Sequence, residues 1–112
     1  TNDLTELVYG FSKEDTEELI EEYLRKDILD KNPFYSLDKA GVGKLVEMAT
    51  VQGRRVKPKL KMGLCGEQGG DTESIEFCEK IGLDYFSCST LRIPGARLAA
   101  AQAGINSSEN KF

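Results

Sequence analysis

Apolar residues recur along this chain with two different periods. Between residues 17 and 24, Leu19, Ile20, Tyr23 and Leu24 fall at helical spacing while Glu17, Glu18, Glu21 and Glu22 fill the other face, the pattern of an amphipathic helix. Ser12-Lys13-Glu14-Asp15 reads as its start, with Ser12 as N-cap and acids where the helix dipole favours them. Asn32-Pro33 closes that region, because the residue before a proline is pushed out of the helical well. Val42, Leu45, Val46 and Ala49 form a second stripe, with Ser36 as cap and Gly53 as terminator. Gly41 and Gly43 weaken that helix and point to close packing or an unwound first turn. Ahead of both, Leu4, Leu7, Val8 and Phe11 surround Gly10 as an irregular or short helical connection.

From Lys59 to Gly66 the period drops to two: Leu60, Met62 and Leu64 alternate with Lys61, Gly63 and Cys65, which predicts a strand. Asp71 then caps a helix carrying Ile75, Cys78 and Ile81 on one side, and Gly82 ends it. Tyr85 to Ser89 reads as a second short strand, and Pro94 suits the first turn of a last helix through Ala99, Ala100 and Ala101. Residues 106–112 have nothing to bury and are expected to form a disordered tail. Strand, helix, strand, helix with short connections is the rhythm of βα units on a parallel sheet. Thr1-Asn2-Asp3 would be the end of a third strand. Two or three strands cannot close a barrel or complete a doubly wound sheet, so the architecture is incomplete. The start at Thr1, with neither an initiator Met nor a leader pattern, agrees with an expectation that the chain is part of something longer.

Composition narrows the chemistry. Fifteen basic against nineteen acidic residues leave a net charge of −4, which disfavours nucleic acid as a partner. The basic run Arg54, Arg55, Lys57, Lys59, Lys61 lacks interleaved aromatics and reads as a solvated loop entering a strand. No stretch approaches the roughly 18 apolar residues of a membrane span. With no His, neither an imidazole base nor a phosphohistidine can come from these residues. Cys65, Cys78 and Cys88 have no metal-ligand spacing and fit reduced thiols of a cytoplasmic protein.

In βα proteins ligands collect at the carboxyl ends of strands, and three segments belong there. At Thr1-Asn2-Asp3, Asp3 offers hard oxygen ligands to Mg²⁺ and the two preceding side chains can hydrogen-bond an anion; a turn or capping cluster is the plainer alternative. In Gly63-Leu64-Cys65-Gly66-Glu67-Gln68-Gly69-Gly70, four glycines allow close backbone approach to a ligand. If Leu64 faces the helices, Cys65 faces the other side, where its thiol can act as acid or nucleophile or remain an inert turn residue. Cys78 belongs to a core stripe, Cys88 ends the second strand, and Arg92 brings a guanidinium to a helix start, where phosphate binding and salt bridging are both open.

Thr1-Asn2-Asp3-Leu4-Thr5, Tyr9-Gly10-Phe11-Ser12, the run from Gly63 to Asp71, Gly82-Leu83-Asp84-Tyr85-Phe86-Ser87-Cys88-Ser89 and Arg92-Ile93-Pro94-Gly95-Ala96-Arg97-Leu98-Ala99-Ala100-Ala101-Gln102 together resemble the C-terminal end of the pyruvate, phosphate dikinase family of PEP-utilising enzymes. The resemblance implies an α/β fold, a partial (β/α)8 TIM barrel of about two to three βα units, with residues 1–105 as a fragment of a PEP/pyruvate-binding barrel. It implies a parent that interconverts ATP, phosphate and pyruvate with AMP, pyrophosphate and phosphoenolpyruvate through a phosphohistidine. Upstream phosphohistidine and nucleotide-binding domains, Mg²⁺ and a homodimeric parent follow from the same likeness. By resemblance Cys65 is the catalytic residue that protonates the enolate carbon, Asp3 a Mg²⁺ ligand, and Thr1, Asn2 and Asp3 the substrate-binding positions. Gln68 departs from the family, which usually carries His there. The alone-standing fragment is expected to be inactive, because the rest of the metal and substrate site lies upstream. The alternative is a non-catalytic βα module that associates with itself or a protein partner through open strand edges.

Overall fold

The computed structural model describes residues 1–109. Helices α1 (Asn2–Tyr9), α2 (Glu17–Arg25) and α3 (Val42–Val56) come first, followed by strand β1 (Gly63–Cys65), helix α4 (Thr72–Lys80), strand β2 (Tyr85–Ser87) and helix α5 (Ile93–Glu109). β1 and β2 are parallel, with Gly63 opposite Tyr85, Leu64 opposite Phe86 and Cys65 opposite Ser87. The chain is therefore α/β, and β1–α4–β2–α5 forms the expected succession of two βα units.

Several boundaries depart from the sequence pattern for local reasons. The first helix begins at Asn2, so Thr1-Asn2-Asp3 is a helix start and not the end of a strand. Thr5 Oγ1 and Thr5 N both donate to Thr1 O, at 2.8 and 2.9 Å, which closes the first turn. Gly10, with φ 67°, ends α1 through its N–H to Glu6 O. Ser12 does not cap α2: Thr16 N and Oγ1 donate to its carbonyl in a preceding turn, and the helix starts at Glu17. Ser36 is not the cap of α3, since its hydroxyl donates to Asp71 Oδ2 at 3.1 Å and the helix opens after Gly41. α3 runs through Gly53, where Leu60 and Met62 pack closely over the missing side chain, and stops short of Pro58. Gly43 serves the close packing anticipated for it, with the Phe77 ring 3.1 Å from where a Cβ would stand.

The predicted strand from Lys59 contracts to three residues. Strand geometry persists only where a neighbour takes the backbone hydrogen bonds, and β2 supplies partners for Gly63 to Cys65 alone. α4 matches its expectation: Asp71 accepts from Ser74 N at 2.9 Å and from Ser74 Oγ at 2.6 Å, and Gly82 follows the helix at φ 79°. Helix α5 reaches Glu109, four residues into the expected disordered tail, because nothing after Gly104 interrupts a ladder that propagates residue by residue. Residues 110–112 of that tail lie outside the described ones.

Leu37, Val42, Leu64, Cys78 and Leu83 form the main core, which ties α3, β1 and α4 together. A second cluster of Ile75, Ala96 and Ala99 seats α5 on α4; small alanines let the two helices approach. Asp84 pins the start of β2 to β1, its N–H donating to Met62 O at 2.8 Å and its Oδ2 accepting from Met62 N at 2.7 Å and Arg54 at 3.0 Å. The Met62 N–H bond, reinforced by Arg54, holds the Asp84 carboxyl below its ordinary pKa.

Candidate functional site

Alternation along β1 decides which way the thiol faces. Leu64 is buried in the core while its neighbours Gly63 and Cys65 are exposed, so Cys65 stands on the face away from the helix layer, as the pattern required. It opens into a cleft of about 420 Å³ lined by Cys65, Gly66, Glu67, Ser87, Cys88, Ser89 and Arg92, at the carboxyl ends of both strands.

Glycines allow the loop after β1 to nest there. Gly66 has φ 145°, and a Cβ on it would stand 2.7 Å from Gln68 Oε1. Gly69 lies against the Ser87 carbonyl and Gly70 against the Arg92 side chain. Gln68 is fully buried, donating through Nε2 to Pro33 O at 2.9 Å and accepting from Thr1 Oγ1 at 2.7 Å. Both ends of this amide are spent on holding the loop, so at the position where the family resemblance leads one to expect His, Gln68 acts as a structural tie.

The sequence-predicted residues come together in part. Thr1 lies against the Cys65 loop, its main-chain nitrogen and Oγ1 approaching Cys65 O at 2.5 and 2.9 Å. Asn2 Nδ2 donates to Glu67 Oε2 at 2.6 Å. Asp3 is exposed in the first turn of α1. Among the described residues no group of three or more His, Cys, Asp or Glu side chains could hold a metal ion. Cys78 is buried in the core, and burial pushes its thiol up to about 11. Cys88 is half-buried and packs toward the α5 cluster. Arg92 reaches the cleft, whereas Arg97 lines a different one between β2 and α5.

Two participants escape any reading of the sequence. Lys13 Nζ donates to Glu67 Oε1 at 2.5 Å, and together with Asn2 it holds the Glu67 carboxyl down to about 2. Lys13 and Glu67 are 54 residues apart, and no local pattern signals such a pair.

Comparison with known proteins places the sequence in a family. Residues 1–105 match the family model described as PEP-utilising enzyme, PEP-binding domain. The chain is 54% identical over 106 residues to pyruvate, phosphate dikinase of Clostridium symbiosum, covering 95% of this chain and 12% of the relative. It is 54% identical over 109 residues to that of Rhizobium meliloti (strain 1021), covering 97% and 12%. Pyruvate, phosphate dikinase 2 of Zea mays is 53% identical over 102 residues, covering 91% and 12%. The chain thus spans about 12% of the length of these relatives. With that match over nearly all of its residues, the chain belongs to the family of PEP-utilising enzymes, as part of their PEP-binding domain.

Proposed function

We propose that this chain is the C-terminal part of the PEP/pyruvate-binding (β/α)8 barrel of a pyruvate, phosphate dikinase, contributing its last two to three βα units. The observation that carries the reading is the exposed Cys65 thiol at the end of β1, in a cleft whose loop is tied to Thr1 and Asn2.

Cys65 acts as the proton donor and acceptor at the substrate methyl carbon. In one direction its Sγ–H gives a proton to the enolate carbon and leaves a thiolate and pyruvate. In the other the thiolate takes a proton from the methyl group, and the resulting enolate oxygen accepts the phosphoryl group. Proton transfer by a positioned group contributes about 10²- to 10⁴-fold. Thr1 and Asn2 reach the substrate from the loop they are tied to, and Arg92 adds positive charge to the cleft that Cys65 lines. Asp3 would give one oxygen ligand to a Mg²⁺ whose remaining ligands lie outside this segment, the metal supplying charge stabilisation for the enolate. The phosphohistidine and nucleotide domains belong to the rest of a homodimeric parent, and the free thiols suit a reducing cytoplasmic setting.

The test is Cys65→Ala in the complete dikinase. Pyruvate-dependent phosphoenolpyruvate formation should fall at least about 100-fold, with the ATP- and phosphate-dependent half-reaction retained. Wild-type pyruvate turnover in that variant would refute the role of Cys65. The isolated 112-residue chain should show no enolisation of pyruvate above background.

A further inference from the structure

Four residues close a ring beside the glycine loop. Glu67 splits its carboxylate, Oε1 taking Lys13 Nζ at 2.5 Å and Oε2 taking Asn2 Nδ2 at 2.6 Å. Lys13 is itself anchored, its backbone N–H donating to Glu6 Oε1 at 2.8 Å. Glu6 sits four residues after Asn2 on α1, hence on the same face of that helix. The circuit therefore runs from Asn2 through Glu67 and Lys13 to Glu6, and back along one helical turn.

The ring has a chemical consequence for Asn2. A carboxylate accepts and cannot donate, so the Asn2 amide must turn its NH2 toward Glu67 and its Oδ1 away. That oxygen is buried and has no hydrogen-bond partner among the described residues. An unpaired buried carbonyl is unfavourable, and a free amide would relieve it by turning. The second N–H of Asn2 is likewise held in a set direction.

We propose that Lys13 is a positioning residue: through Glu67 it locks the Asn2 carboxamide in a single orientation beside the glycine loop, with one N–H committed to Glu67 and Oδ1 turned inward. Without Lys13, the Glu67 carboxylate turns about its soft terminal torsion, and Asn2 loses its fixed partner. Lys13 and Glu67 are each partly exposed; what separates them from an ordinary surface ion pair, which holds neither partner firmly, is that the second carboxylate oxygen is committed to the amide. The inference rests on the reading of Asn2 as a substrate-binding residue and adds to it the device that orients the amide.

The experiment uses the complete dikinase and a double-mutant cycle between Lys13→Met and Asn2→Ala, with steady-state KM and kcat for pyruvate as readouts. Lys13→Met should raise KM about tenfold, the worth of one charge-assisted hydrogen bond, with little change in kcat. Lys13→Arg should stay within about threefold of wild type, and Glu67→Gln should behave as Lys13→Met does. In the Asn2→Ala background Lys13→Met should add less than about twofold, because the group it orients is gone. A full second tenfold loss there, or an unchanged KM in the single variant, would overturn the positioning role. Should Asn2→Ala and Cys65→Ala both leave pyruvate kinetics intact, the assignment of the site itself fails. Circular dichroism and thermal midpoints equal to those of wild type separate either result from loss of fold.

Discussion

Alanine in place of Gly69 adds a net one carbon and two hydrogens, yet its effect follows from a single distance. An ideal Cβ on Gly69 would stand 2.2 Å from the Ser87 carbonyl oxygen and 3.1 Å from the carbonyl carbon. Ordinary contact needs roughly 1 Å more. Neither side yields easily: Ser87 is the last residue of β2, paired in register with Cys65, and Gly69 is buried next to Gln68, which is bonded to Pro33 and Thr1. Overpacking of this kind costs about 1–3 kcal/mol. With a urea m-value of about 1.5 kcal/mol/M, a loss of about 2 kcal/mol lowers the unfolding midpoint by roughly 1.3 M. Gly95→Ala is the matched control. Gly95 lies in helix α5 with nothing within 4 Å of a Cβ, so alanine there should raise stability by about 0.5–1 kcal/mol through helix propensity. Urea unfolding of the 112-residue chain measures both. Equal midpoints for Gly69→Ala and the unmodified chain would refute the packing of the loop against β2.

Two other expectations use ionisable groups. In the native chain a thiol reagent at pH 8 should label exposed Cys65 first, while Cys78, buried and with its pKa pushed up to about 11, has about one thousandth of its population as thiolate and should react only on unfolding; early labelling of Cys78 would contradict its place in the core. Glu67, held down to about 2 by Lys13 and Asn2, should contribute stability that is present above the ordinary glutamate pKa of 4.5 and is lost as pH falls toward 2. The gap in urea midpoint between wild type and Glu67→Gln should therefore shrink between about pH 5 and pH 2. The pair is partly exposed, so the gap stays within about 1 kcal/mol, and a constant gap across that range would count against the Lys13 bond.

Much of the βα half was legible because its signals are local. Asp71 caps α4 three residues before the N–H it binds, Gly82 ends that helix, and alternation around Leu64 turns Cys65 outward. The N-terminal boundaries were read less well, because polar side chains there answer to distant partners. Ser36 could cap a helix, but Asp71, 35 residues away, takes its hydroxyl. Thr1-Asn2-Asp3 is too short to carry a period, and its helical start is fixed by Thr5 and by contacts with the Cys65 loop. Of the candidate site, Cys65 and Asn2 stand in segments whose residue types drew notice in the sequence. Lys13 was hidden in what reads as a helix-start cluster, since nothing adjacent in the chain reveals that its ammonium crosses to Glu67.

The bonds from Thr1 to Cys65 span 64 residues. Closing a flexible loop of that length costs about 4 kcal/mol of chain entropy, and contacts so remote in sequence tend to form late in folding. Until that tie forms, the loop after β1 lacks the anchor that the start of α1 gives it. The surroundings of the Cys65 thiol are thus assembled from segments 64 residues apart and exist only once the fold is complete.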